Sequence, residues 1–197
     1  MGFDALNAYL ERLPDGLESY PECRAKASLG RAVLDLRPGQ GVPPGTPDQI
    51  RNLVLNPPPP NAWISEVYLV AIHFFIQDAD GMSDDDLLEL TYQANKALTE
   101  SRMYRALAKV ASPAILLKGA AMSWGLIHKG LRLHIEAKKN SALIRLSHPP
   151  HLYPPAGHRS AALGFRAVIE AANGQEVQVG IRSSRPDGAD FDARWAG

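Results

Sequence analysis

Eight of the chain's 16 prolines fall between Pro38 and Pro60, and this cluster limits every fold the chain can adopt. Proline fixes φ and has no backbone N–H to donate, so the stretch cannot be one long helix. Within it, Thr46-Pro47-Asp48-Gln49 has the form of a capping box with proline at the first helical position, which predicts one short helix through about Leu55. The run Pro57–Pro60 then acts as a stiff strut into the next element. The alternative, a ligand for a proline-recognising domain, lacks closely flanking aromatic or basic specificity residues.

On the N-terminal side, Phe3, Leu6, Leu10 and Leu13 recur at helical spacing, and Pro14-Asp15-Gly16 closes the segment as a turn. A second helix is expected over 21–34, with Pro21 in its first turn. Beyond the prolines, residues 62–77 are apolar on almost every side, as a central buried helix must be, with strand as the competing reading. Asp78-Ala79-Asp80-Gly81 reads as a turn, and Ser83 followed by Asp84, Asp85 and Asp86 as the capped start of a helix to about Leu98. Further helices are predicted from Ser101 to Ala111 and from Ser112-Pro113 to near His128.

From Gly130 the period changes from helical to alternating. Leu131, Leu133, Ile135 and Ala137 fall on one face, and Arg132, His134, Glu136 and Lys138 on the other. If Lys139-Asn140 is a two-residue turn, the partner strand 141–147 sets Leu133 opposite Leu146, His134 opposite Arg145 and Ile135 opposite Ile144. A helix over 160–172 follows. Two strands then close the chain, with Val177, Val179 and Ile181 inward on one and Phe191, Ala193 and Trp195 inward on the other. The expected fold class is α+β: a helical N-terminal two-thirds packed on a C-terminal β-β-α-β-β antiparallel sheet unit. Residues 1–197 are taken as one domain, mainly helical over 1–128 with the proline-rich connection 38–60, and β-β-α-β-β over 129–197.

A chain of 197 residues buries about 70% of its unfolded surface, enough for a core without disulfides or structural metal. Cys23 is the single cysteine, and 21 basic residues balance 21 acidic ones. No net field therefore draws the protein to nucleic acid. No apolar run reaches the about 18 residues of a membrane span, and the opening residues, with Asp4 and Glu11, do not have the form of a secretory signal. The expectation is a cytoplasmic protein with no nucleic-acid partner and no membrane span.

The strings WISEV, MYRAL, SPAILLKGAAMSWGLIHKG and FDARW, in this order of elements, resemble an uncharacterised, mainly myxobacterial domain family. By topology the chain is also similar to the superfamily of haem nitric-oxide-binding domains, 4-vinyl-reductase-type ligand domains and TRAPP subunits. That resemblance implies a pocket between helices and sheet for a small hydrophobic molecule, an acyl chain or a haem. The haem-binding branch carries a haem-ligating His and a Tyr-x-Ser-x-Arg motif for the propionates. The latter is absent here, and no cofactor is expected.

The residues offer several sites for chemistry. Glu66, His73 and Gln77 lie within about 20° of one line on the central helix, a polar stripe that either faces a pocket or is satisfied by solvent and helix-end bonds. Lys118, with Gly125 and Lys129, forms a second non-apolar stripe, and Trp63 and Trp124 stand at helix ends where they would line a pocket mouth. The candidate pocket is therefore Trp63, Glu66, His73, Gln77, Lys118, Trp124 and His128. Five of the six histidines lie between His128 and His158, but none forms an i, i+4 pair of metal-ligand type, and no metal is expected. The acids from Asp78 to Glu89 resemble a calcium loop, with Met82 and Ser83 where an oxygen ligand and the turning glycine belong. Capping explains these acids with fewer demands. No nucleophile elbow, phosphate loop or dinucleotide fingerprint is present.

The sequence thus points to a non-enzymatic ligand-binding or protein-interaction module of a bacterial regulatory pathway, with a small apolar ligand between helices and sheet. A protein partner or homodimer is compatible with the same reading. The alternatives are a small hydrolase or isomerase using Glu66 and His73 as acid and base, and a structural adaptor with no ligand.

Overall fold

The computed structural model describes residues 2–37, 41–100 and 112–196. Among these residues are seven α-helices: α1 (Asp4–Leu10), α2 (Ala27–Asp35), α3 (Asp48–Leu55), α4 (Glu66–Asp80), α5 (Asp84–Thr99), α6 (Pro113–Ser123) and α7 (Pro155–Ala171). Three short strands, β1 (Arg24–Lys26), β2 (Trp63–Ser65) and β3 (His128–Lys129), form an antiparallel sheet in the order β2-β1-β3. Four longer ones, β4 (Arg132–Ala137), β5 (Ser141–Ser147), β6 (Gln175–Arg185) and β7 (Gly188–Ala196), form a second antiparallel sheet in the order β4-β5-β7-β6. The class is α+β, with the helices mostly N-terminal and the larger sheet C-terminal.

Alternation fixes that larger sheet. Leu133 pairs with Leu146, His134 with Arg145 and Ile135 with Ile144, the expected register. It places Ala142, Ile144 and Leu146 on the buried face of β5 beside Phe191, Ala193 and Trp195 of β7. α7 packs Phe165 and Ile169 into the same core, with the Phe165 and Phe191 rings meeting edge to face at 5.3 Å. Burying each such side chain contributes about 1.5–3 kcal/mol. α4 is the spine of the helical part, in contact with α1, α2, α3 and α5, and its Ala71, Phe75 and Ile76 are fully enclosed.

Several local expectations are corrected. The segment expected as a helix over 21–34 opens with β1, because Ala25 is buried between outward-facing Arg24 and Lys26, a period of two rather than 3.6. The helix proper is α2. Residues 62–77 contain both competing forms: Trp63–Ser65 pair with β1, and Ser65 then caps α4 by accepting the Val67 amide at 3.2 Å. α4 also runs through the expected turn at Asp78–Asp80 and stops at Gly81, whose φ of 64° reverses the chain.

Thr46 makes no capping box, since its hydroxyl donates back to the Pro43 carbonyl at 2.8 Å and Pro47 occupies the cap of α3. The box at Ser83 and Asp86 is complete. α6 ends at Ser123 rather than near His128, and His128 belongs to β3. α7 begins at Pro155, five residues before the expected 160, because Pro at a first helical position starts the helix there. Ile181, expected inward, is 38% exposed beside an irregularity in the β6 register. The expected helix from Ser101 to Ala111 lies outside the described residues.

Gly130 links β3 to β4 with φ 75°, and a Cβ there would stand 2.7 Å from Cys23 Sγ and 2.9 Å from Cys23 Cα. Strain and overlap should make Gly130→Ala cost about 2 kcal/mol or more in chemical denaturation. A loss within about 0.5 kcal/mol would show that β3 and β4 do not need this approach.

Candidate functional site

The first residue of α4 is a carboxylate with no exposure. Glu66 begins the helix where backbone dipoles favour negative charge, and its own amide donates to the Cys23 carbonyl of the β1 approach at 2.9 Å. Its side chain accepts the Tyr153 hydroxyl and lies 3.1 and 3.2 Å from His128 Nδ1. A carboxylate only accepts, so Nδ1 carries the His128 proton. The Trp124 indole stacks on that imidazole, with centroids 4.0 Å apart and planes 20° from parallel. Trp124 Nε1 is buried and finds no partner among the described residues. Burial and the adjacent Glu66 carboxylate push the phenols of Tyr153 and Tyr9 well above their ordinary 10. Tyr9 donates to the Leu152 carbonyl at 3.1 Å and holds the loop that carries Tyr153.

A second buried cluster lies beside it. The His148 ring is 5.1 Å from that of Tyr153, and His148 Nε2 is 2.9 Å from His158 Nε2. His158 Nδ1 is 2.7 Å from Ser184 Oγ, and His148 Nδ1 is 2.8 Å from the Pro149 carbonyl. Burial lowers the pKa of both imidazoles, that of His158 to about 4 with help from neighbouring His148 and Arg185. A cavity of about 220 Å³ opens against this cluster, lined by Arg12, His151, Tyr153, His158, Ser184 and Arg185, with prolines at its edge. A larger cleft, about 910 Å³, lies between the end of α5, α7 and the start of β6. It is lined largely by polar and charged groups, including Lys96, Glu100, Arg166 and Glu170.

The structure brings Glu66, His128 and Trp124 together and places the other candidate residues apart from them. His73, two turns along α4, donates from Nδ1 to the Leu69 carbonyl at 2.8 Å, and burial lowers its pKa. Gln77 bonds the Asp84 carboxylate at 2.8 Å. Trp63 packs on the small sheet with Lys26 Nζ 4.0 Å and Lys129 Nζ 4.3 Å from its ring centre. Lys118 is exposed on α6. The calcium-loop acids have other work: Asp78 accepts the Ala5 and Leu6 amides, Asp80 pairs with Arg37, and Asp86 closes the capping box. Among the described residues no group of three His, Cys, Asp or Glu is placed to hold a metal. Cys23 is buried, and its thiol is pushed up to about 12 by burial and by Glu22 and Glu66, which removes it as a nucleophile at neutral pH.

Sequence reasoning missed Tyr153, His148, His158, Ser184 and Arg12. A signal was present in one place: three histidines and a tyrosine lie within the eleven residues 148–158, interspersed with four prolines.

No protein-family profile and no curated protein matches the sequence. Solved structures do. An H-NOX protein from S. oneidensis in its Fe(II)NO state aligns over 87% of this chain and 99% of its own, with 14% identity and a TM-score of 0.57. The unliganded Fe(II) H-NOX protein from K. algicida aligns over 87% and 97%, with 12% identity and a TM-score of 0.56. An oxygen-binding H-NOX domain related to soluble guanylate cyclases aligns over 86% and 92%, with 10% identity and a TM-score of 0.58.

The fold is that of H-NOX domains. Identities this low carry the fold alone. Haem, which this fold implies, does not fit the residues described. The larger cleft offers no His, Cys or Met as axial ligand, and its Tyr92 phenol is bonded to Glu170. The smaller cavity has His151 and His158 but falls short of the about 300 Å³ at which pockets for drug-sized ligands begin.

Two outcomes follow from this site. Glu66→Ala strands the Tyr153 hydroxyl and His128 Nδ1–H in the interior and should cost about 3 kcal/mol in denaturation. Glu66→Gln keeps an acceptor and should cost visibly less, and equal losses would refute the bonding described. His148 and His158 have folded pKa values below the ordinary 6.5. The unfolded chain therefore takes up protons that the folded one refuses. Their contribution to stability is complete above pH 6.5 and is lost as pH falls below it, for His158 down to about 4, with a slope of up to about 1.4 kcal/mol per pH unit for each ring. Denaturation midpoints flat across this window in wild type, or unchanged in slope in His158→Gln, would show that the rings are not held neutral.

Proposed function

We propose that this chain is a non-enzymatic, small-molecule-binding sensory module of a bacterial regulatory pathway. On this reading it works in the cytoplasm as a single domain on the H-NOX fold and takes its ligand without haem, at the cavity beside Tyr153. The observation that carries this reading is the double position of Tyr153, whose side chain lines that cavity while its hydroxyl donates to Glu66. A ligand that shifts the phenol loosens the bond at the start of α4 and, through His128, the edge of the small sheet. Occupancy at the surface thereby becomes a change in the packing of the helical part.

The apolar pocket between helices and sheet finds less support, because Phe75, Ile144, Phe165, Ile169 and Phe191 are buried in one cluster and the cleft between α5, α7 and β6 is lined largely by polar groups. The enzyme reading through Glu66 and His73 is weakened by seven residues of helix, about 10 Å along the axis. An interaction module is favoured by one observation. Ile115, Met122 and Leu126 stand 60%, 90% and 70% exposed on α6 and the turn after it, as a face for a protein partner or second copy would.

Native mass spectrometry of the protein purified from its own host, beside a denatured sample, tests the proposal. The expected result is a reproducible extra mass lost on denaturation. Its presence should speed hydrogen exchange at the Glu66 and His128 amides in wild type but not in Tyr153→Phe. Bare chain mass, together with exchange indifferent to small-molecule extracts of the host, would overturn the reading in favour of an interaction module.

A further inference from the structure

We infer that the cavity beside Tyr153 binds a small oxyanion, a carboxylate or an inorganic acid anion, together with one proton taken up by the His148–His158 pair. This rests on the ligand-binding reading above and gives it a ligand class. The charge argument comes first. The lining residues include Arg12, Arg185, His151 and His158 and no Asp or Glu. Arg185 shares Asp190 with Arg145 and reaches Asp187 at 3.9 Å, whereas Arg12 pairs with no carboxylate among the described residues. One guanidinium therefore faces the cavity uncompensated. About 220 Å³ holds roughly seven waters' worth of liquid, room for an anion of a few heavy atoms and too little for a nucleotide.

The proton follows from hydrogen-bond bookkeeping. The Pro149 carbonyl can only accept, so His148 Nδ1 carries a hydrogen and, in the neutral ring, Nε2 is bare. His158 must then donate from Nε2 to His148, which leaves its Nδ1 bare. Ser184 must donate to that nitrogen. In this state the Ser184 hydrogen points at His158, and the serine turns only lone pairs to the cavity, which repel an anion.

One added proton reverses the chain. His148 donates from Nε2 to His158, His158 donates from Nδ1 to Ser184 Oγ, and the serine hydrogen is released toward the cavity. No covalent bond between heavy atoms changes, one solvent proton is taken up, and a positive charge appears on His148, relayed to the anion through His158 and Ser184. A second proton would set two N–H groups against each other at 2.9 Å, so uptake stops at one.

The surrounding charges are consistent with a pair that is neutral until an anion arrives. Arg185 on β6 opposes protonation of His158, while Asp187 in the β6–β7 turn and Glu66 on α4 favour it at His148. Arg12 after α1, with His151 and Tyr153 from the loop before α7, completes the set. Burial keeps both rings below the ordinary histidine range.

The test is calorimetric titration of the intact protein with sulfate and, separately, formate, in buffers of different ionisation enthalpy from about pH 8 to about pH 5. The expected result is uptake of close to one proton per anion near neutrality, with affinity rising up to about tenfold per pH unit as pH falls. Arg12→Gln should weaken binding by about tenfold at every pH and leave the proton count unchanged. His158→Gln should abolish the uptake.

Should that variant not fold, the ring ¹⁵N shifts of wild type decide the matter. Saturating sulfate should raise the apparent pKa of the pair and convert His158 from the Nε2–H to the Nδ1–H tautomer. Tighter binding of sulfate than formate would identify an inorganic anion, and the reverse a carboxylate. Anion binding without proton uptake, or no anion binding at any pH, overturns the inference. If an extra mass is still found by native mass spectrometry, the ligand-binding reading survives that failure; if none is found, both fall.

Discussion

A carboxylate with no solvent exposure needs every one of its charge-bearing contacts, and those of Glu66 join three separate parts of the chain. Its position on α4 belongs to the helical layer, His128 to the small sheet, and Tyr153 to the loop that launches α7. An uncompensated charge in the interior costs several kcal/mol. The three parts can therefore close together or not at all, and the packing of Phe75, Phe165 and Phe191 around them proceeds within that constraint. The bond does less to add net stability than to specify one arrangement of layers.

Around this joint, proline does the positioning. Pro149, Pro150, Pro154 and Pro155 hold the loop between β5 and α7 in a conformation that leaves carbonyl oxygens free. Those of Pro149, Pro150 and Leu152 accept from His148, Tyr20 and Tyr9 respectively. A loop of ordinary residues would present additional amide hydrogens needing acceptors in the same space. The His148 and His158 imidazoles are committed to one another, to Ser184 and to the Pro149 carbonyl, and the cleft between α5, α7 and β6 is lined largely by polar groups.

Much of the architecture was legible because it is written in short-range periods. The β4–β5 register follows from residues two apart, and the start of α5 from Ser83 and Asp86, three apart. The small sheet was not legible. Its strands are three, three and two residues long, and a run such as Trp63–Ser65 is indistinguishable from the first turn of the apolar helix that follows. Thr46 shows the opposite failure: the capping pattern is present, but its hydroxyl has a nearer acceptor in Pro43. At the site, the polar stripe on α4 singled out Glu66 without indicating its partners. His73 and Gln77, on the same line of the helix, turned out to be satisfied by a neighbouring carbonyl and by Asp84.

By itself the sequence determined the class of the fold, the pairing of β4 with β5, the helix cap at Ser83 and the helix start at Pro113, and the lack of any familiar catalytic signature. These depend on backbone geometry and on neighbours within a few residues, which composition and spacing report directly. Only the tertiary structure decided which polar groups are buried, which of them meet, and which ring nitrogen carries each proton. Glu66 meets residues 62 and 87 positions away, and His158 meets Ser184 across 26. Contacts over such separations are set by how layers pack, and no local period encodes them.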